Sequence, residues 1–142
     1  MDENSGDSPA GPNALVGTIT DDDEISLTVL SDGGLVTVAV RGEIDLMTVT
    51  RLSDTLSAEM AKVPAVLVVD LEGVGFLASM GITALALAER EAAEQGIAFR
   101  VVASGRGTLR PLQITGMTDL LDVYPSRRAA LAAGPVRPLH GS

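Results

Sequence analysis

The chain has 142 residues, 46% of them apolar and 2% aromatic, with a formal net charge of −9. That length suits one domain with its own core, since compact domains cluster near ~100–150 residues, and the apolar fraction excludes global disorder. Phe76, Phe99 and Tyr124 are its only aromatic residues, so stacking platforms for single-stranded nucleic acid are lacking, and a single lysine among scattered arginines leaves no basic stripe for a phosphate backbone.

The charge is uneven. Residues 1–24 carry Asp2, Glu3, Asp7, Asp21, Asp22, Asp23 and Glu24 and no basic residue, so the acidity gathers at the N-terminus and the remainder is close to neutral. Residues 1–23, rich in Asp, Ser, Gly and Pro, read as a disordered acidic extension. Without a basic region followed by an apolar run, they do not read as a signal peptide. The segment 24–133 reads as the folded body, and 134–142, with two prolines, as a flexible tail.

Within the body, Glu24–Leu30 alternates apolar and polar residues, as a half-buried strand does. Ser31-Asp32-Gly33-Gly34 supplies turn chemistry, and Leu35–Arg41 resumes the alternation, so the pair predicts an antiparallel hairpin. Gly42-Glu43-Ile44-Asp45 breaks the pattern. Leu46–Met60 then repeats apolar residues at helical spacing, with Asp45 or Thr48 available as a cap. Pro64 stops that helix. Ala65–Val69 is a continuous apolar run rich in β-branched valine, which predicts a central strand covered on both faces and parallel to a neighbour. Asp70 closes it, and Leu71–Leu77, with Gly73 and Gly75, reads as a loop. A helix from Ser79 to about Gln95 follows, with Ser79 as its N-cap and Gly96 beyond its end. Ile97–Val102 is a strand, Leu109–Thr115 a short helix, Leu120–Val123 a last strand, and Ser126–Ala133 a closing helix capped by Ser126. The order β-β-α-β-α-β-α-β-α predicts an α/β fold, one mixed sheet with helices packed on it.

Several chemistries have no residues to carry them. There is no cysteine, hence no disulfide, thiol nucleophile or Cys-held zinc; this suits a reducing, cytoplasmic setting. The only histidine, His140, stands near the end of the chain, so neither a His-held metal nor a Ser–His–Asp triad is expected. No apolar run reaches the ~18 residues of a membrane span. Glu43 and Asp45 lack an accompanying base or nucleophile and suit capping or partner contact. Gly73, Gly75 and Gly81 lack the Lys-Ser/Thr ending of a phosphate-binding loop. Arg100, Arg106 and Arg110 read as scattered solvated charges. The Asp21–Glu24 run lacks the Gly and closing Glu of a calcium loop. No catalytic residue, metal or cofactor is therefore predicted.

The informative stretch is Val68–Leu85. A buried strand ends in an acid, and a serine then stands at the mouth of a helix, where free N–H groups and a partial positive charge favour an anion. Ser79 is thus either a cap or a phosphorylation site, and spacing alone favours the cap.

Three segments together resemble one family. Asp70-Leu71-Glu72, Val74, Phe76-Leu77-Ala78-Ser79-Met80-Gly81-Ile82 is similar to the core signature of the STAS domain of bacterial anti-sigma factor antagonists. Gly42-Glu43-Ile44-Asp45 resembles that family's upstream Gly-Glu-Leu-Asp motif. Thr115-Gly116-Met117 and the Ser126–Leu131 segment resemble its downstream pair. The matches fall in the family's order and cover about residues 24–133. Ala78 stands where the family usually has Asp, and Met80 where it often has a second Ser.

The resemblance implies a single STAS domain that is not an enzyme but binds an anti-sigma factor with an ATP-binding serine-kinase fold, releasing a sigma factor for transcription. It implies phosphorylation at Ser79 by that kinase, which breaks the complex, and a serine phosphatase that restores it. It implies partner contact through Glu43, Asp45, Ala78, Ser79, Met80, Gly81 and Thr83, with Asp45 near the serine-bearing helix, and no nucleic-acid or membrane partner. The alternatives are a constitutive, non-phosphorylated STAS module in another signalling complex, and a small enzyme or ligand-binding protein built on the 70–82 loop. A pull-down separates the first alternative, and turnover or a bound small molecule the second.

Overall fold

The computed structural model describes residues 15–20 and 25–134. Strand β1 spans Leu15–Thr20, β2 Ile25–Asp32 and β3 Leu35–Ile44; helix α1 spans Val49–Met60, followed by β4, Val66–Leu77, and α2, Ser79–Gln95. Strand β5 is Ala98–Val102, α3 is Leu109–Ile114, β6 is Asp122–Tyr124 and α4 is Arg127–Ala132, with a 3-10 turn at Met117–Asp119 between α3 and β6. Each of the nine elements read from sequence is present, in the same order.

The six strands lie side by side in sequence order. β1 pairs antiparallel with β2, and β2 with β3, while β3, β4, β5 and β6 are mutually parallel. Helices connect the parallel strands, as parallel crossovers require. The C-terminal ends of β3, β4 and β5 therefore share one edge of the sheet, and the turns that leave them are neighbours there.

The alternation in β2 and β3 sends Leu27, Val29, Val38 and Val40 into the main core, where they meet Leu52 and Leu56 of α1 and Ile82 and Leu85 of α2. The continuous apolar run of β4 divides between two cores. Leu67 and Val69 face the main one, while Val66 and Val68 face a smaller one closed by Val102 and by Ala130 of α4. This is the two-sided burial that the absence of alternation implied. Two arginines hold α4 on that second face. Arg127 Nε donates to the buried Asp70 carboxylate at 2.7 Å, and Arg100, read from sequence as a solvated charge, is instead buried in β5 and donates to the carbonyls of Ala130 and Gly134. Ser126 caps α4, its Oγ accepting from the Ala129 N–H at 3.1 Å.

Four further local readings need correction. The segment read as an extension contains a strand: Leu15–Thr20 pairs with β2 from Leu15↔Leu30 to Thr20↔Ser26. Residues 1–14, 21–24 and 135–142 lie outside the described residues, so the remainder of the extension and the flexible C-terminal tail read from sequence are not described either.

Second, the supposed loop Leu71–Leu77 is strand. β3 continues through Ile44 and pairs with it, Gly42↔Val74, Glu43↔Phe76 and Ile44↔Leu77. Gly73 marks close approach of the two strands, because a Cβ there would lie 2.8 Å from Arg41 Cγ and 2.9 Å from the Val40 carbonyl oxygen.

Third, α1 begins at Val49, not Leu46. Thr48, one of the two residues read as a cap, does hold the cap position but makes no side-chain cap; with Asp45 it builds a turn, in which the Thr48 hydroxyl donates to the Glu43 carbonyl at 2.7 Å and accepts from the Asp45 N–H at 3.0 Å. Asp45 Oδ1 accepts from the Met47 N–H at 2.9 Å. Fourth, Ala78 occupies the cap position of α2 and makes no side-chain cap, so Ser79 is the first helical residue.

Candidate functional site at the start of helix α2

The position of Ser79 is fixed from two directions. The Ala78 N–H donates to the Ile44 carbonyl at 2.9 Å, tying the β4–α2 junction to the end of β3. Gly81, buried in the first turn of α2, allows the helix to settle on that junction: a Cβ there would lie 2.7 Å from both Ile44 Cγ2 and Leu77 Cδ1. The Ala78 carbonyl then accepts from the N–H groups of Gly81 and Ile82, closing the first turn.

Ser79 itself is exposed, and within the described residues no hydrogen bond engages its hydroxyl. Because Ala78 holds the cap position, the hydroxyl is free to meet another molecule. Early N–H groups of a helix lack intrahelical acceptors and carry partial positive charge, so the site tolerates an anion.

Asp45 follows Ile44 and Ser79 follows Ala78, the two residues joined by the hydrogen bond, so both flank one junction. Glu43 is exposed beside them and Asp45 half-buried. Thr83 is exposed one turn further along α2. The structure thus brings Glu43, Asp45, Ala78, Ser79, Met80, Gly81 and Thr83 to one edge. Gly81 differs from the rest, being buried as a packing residue rather than surface.

The sequence reading missed an apolar rim around this site. Leu46 is 69% exposed, Met47 71%, Phe76 50% and Met80 37%. The first two lie in the turn after β3, Phe76 near the end of β4 and Met80 on α2. Large apolar side chains exposed together mark an interaction surface. The available signal was the Leu46-Met47 pair directly after the turn residues, outside the helical spacing that begins at Val49.

The β5–α3 connection packs against the same edge. A Cβ on Gly107 would lie 2.6 Å from the Gly75 carbonyl oxygen, so that loop touches the β4 backbone directly. No group of three or more His, Asp or Glu residues able to hold a metal occurs among the described residues, and none of the helices among them is long and apolar enough to cross a membrane.

A sequence model of the STAS domain matches residues 26–130. The chain belongs to the STAS domain family. This STAS chain is 36% identical over 109 residues to the anti-sigma-F factor antagonist RsfB of Mycobacterium tuberculosis, covering 77% of this chain and 88% of that protein. Its fold is similar to a crystal structure of an anti-sigma factor antagonist from Mycobacterium paratuberculosis, with a TM-score of 0.74, 36% identity, and coverage of 81% and 97% of the two chains. The unphosphorylated anti-sigma factor antagonist SpoIIAA shares the STAS fold at 14% identity and a TM-score of 0.63, over 74% of this chain and 92% of that one.

Proposed function

We propose that this STAS protein is an anti-sigma factor antagonist. It docks on an anti-sigma factor of the serine-kinase type through the edge that carries Ser79, and docking frees a sigma factor for transcription. The observation that carries this reading is the exposed Ser79 hydroxyl, at the first position of α2 and within an apolar rim. Similarity to proteins named as anti-sigma factor antagonists supports the choice of partner.

In this reading the chain is a substrate and ligand, not an enzyme, and acts in the cytoplasm with the transcription machinery. The kinase transfers the γ-phosphoryl group of ATP to Ser79 Oγ, releasing ADP and the hydroxyl proton, and a serine phosphatase hydrolyses the ester with water back to serine and inorganic phosphate. The phosphate brings a charge of about −1.5 to −2 at pH 7. The start of α2 offsets part of it, but Asp45 and Glu43 repel it, and burying it against an apolar partner surface strips its water. Docking then fails without any rearrangement of the sheet.

Incubation with the serine-kinase anti-sigma factor and ATP is expected to add one phosphate to the wild-type chain and none to Ser79→Ala, read by intact mass. Equal labelling of the two contradicts the site. A second reading, constitutive docking without phosphorylation, draws on Ala78 and Met80, which depart from the acid and the second serine of the family pattern. It predicts no labelling together with undiminished binding.

A further inference from the structure

Arg106 and Arg110, read from sequence as scattered charges, line one cavity. It measures about 500 Å³, lies where the β5–α3 connection enters α3, and is walled by Gly105, Arg106, Leu109, Arg110 and Gln113. That volume falls within the ~300–1,000 Å³ typical of small-molecule sites. Both arginines are exposed, and neither forms an ion pair with another described residue. The walls hold no acid, and a cleft lined by one sign of charge concentrates counter-ions.

The backbone that carries these side chains is held in place. Gly105 adopts a left-handed conformation, with φ 80°, and its carbonyl accepts from the Arg110 N–H at 3.1 Å. The Thr108 hydroxyl donates to the Ser104 carbonyl at 3.1 Å. On the other side of Arg106, Gly107 rests on the Gly75 carbonyl of β4. Helix α3 has only six residues, so the two side chains, not a helix dipole, supply the positive charge.

A guanidinium fork pairs with carboxylate or phosphate oxygens through two parallel hydrogen bonds. Two cations match a double charge, which a phosphate monoester approaches near neutral pH and a single carboxylate does not. The phosphate fills only part of the cavity, which leaves Leu109 and Gln113 to border an organic group. Nucleic acid is a poorer occupant, because affinity for a polyanion grows with the number of phosphates neutralised and the chain carries a net charge of −9. We infer that this cavity binds a small phosphate monoester, with Arg106 and Arg110 on the phosphate. The inference stands apart from the antagonist reading and does not fall with it.

The experiment titrates the isotope-labelled full-length chain with phenyl phosphate, inorganic phosphate and benzoate, at ionic strength held constant with sodium chloride, and follows the backbone amide shifts by NMR. Wild type is compared with Arg106→Gln, Arg110→Gln and Arg128→Gln. The last is a control that removes the same charge from α4, which packs on the other face of the sheet from α3. Thermal melts establish that all four are folded. Phenyl phosphate is expected to bind saturably, to shift amides within residues 105–113, and to bind more tightly than the other two probes. Arg106→Gln and Arg110→Gln are each expected to weaken it by about tenfold, with Arg128→Gln unchanged. Absence of saturable shifts, or equal weakening by Arg128→Gln, overturns the site. Inorganic phosphate that binds as tightly as phenyl phosphate overturns the monoester and assigns the cavity to the free ion. Benzoate that binds as tightly overturns the choice of phosphate over carboxylate.

Discussion

A hydrogen atom in place of a methyl group at position 81 determines where Ser79 sits. The first turn of α2 rests on Ile44 and Leu77, both buried, and a Cβ at residue 81 would intrude on each. Gly81→Ala regains about 1 kcal/mol of helix propensity, but overpacking of this kind costs about 1–3 kcal/mol. Net destabilisation of up to about 2 kcal/mol is expected in urea unfolding, together with slower phosphorylation of Ser79 as α2 lifts from β3. A gain in stability with unchanged phosphorylation would show that the packing is looser than described. Glu89, on the same helix, tests the electrostatics. Burial, and secondarily the Asp122 carboxylate, raise its pKa above the ordinary value. Folding therefore favours the protonated form relative to the unfolded chain, and the stability this contributes is complete below the unfolded value and lost as pH rises through the folded one. Glu89→Gln is expected to match the wild type in acid and to exceed it at neutral pH, as read from urea midpoints. A wild type more stable than the Gln variant at neutral pH contradicts the sign.

At the scale of elements, α4 is a six-residue helix that depends on tertiary clamps, because so short a segment is not stable alone. The Arg127–Asp70 pair joins it to β4, the strand that leads into the Ser79 junction. Asp70 also accepts from the Glu72 N–H at 2.9 Å. Arg127→Met removes a charge-assisted bond from a buried carboxylate. Because the Arg127 side chain is 38% exposed, water competes for the pair, and the expected loss is about 1–2 kcal/mol. Faster amide exchange in α4 than in the main-core strands would accompany it; unchanged exchange and stability contradict a clamping role. Elements were legible from sequence where periodicity and burial agree. The β2–β3 alternation, the apolar run of β4 and the Ser126 cap of α4 all predict what is present. They were illegible where pairing overrides local chemistry. Gly73 and Gly75 look like loop residues, yet the continuing β3 recruits them into β4. In Leu15–Thr20 the apolar residues are interrupted by Gly17 and stand among acids and prolines, so only pairing with β2 reveals the strand. The Ser79 cap failed for a related reason: strand pairing through Leu77 and the Ala78–Ile44 hydrogen bond leave Ala78 as the cap residue.

At the scale of the whole molecule, strand direction creates the site. Because β3, β4 and β5 run parallel, the turn bearing Asp45, the junction bearing Ser79 and the Gly107 loop meet at one edge, although they are far apart in sequence. The motif residues of this edge could be named from sequence, but its apolar rim could not, since exposure of Leu46, Met47, Phe76 and Met80 depends on how the turns close. The central claim is that charge on one hydroxyl at this edge controls docking. Calorimetric titration of the serine-kinase anti-sigma factor with unphosphorylated and Ser79-phosphorylated protein tests it directly. The account predicts that the phosphate weakens binding more than tenfold, or more than ~1.4 kcal/mol. Equal affinity of the two forms would contradict it.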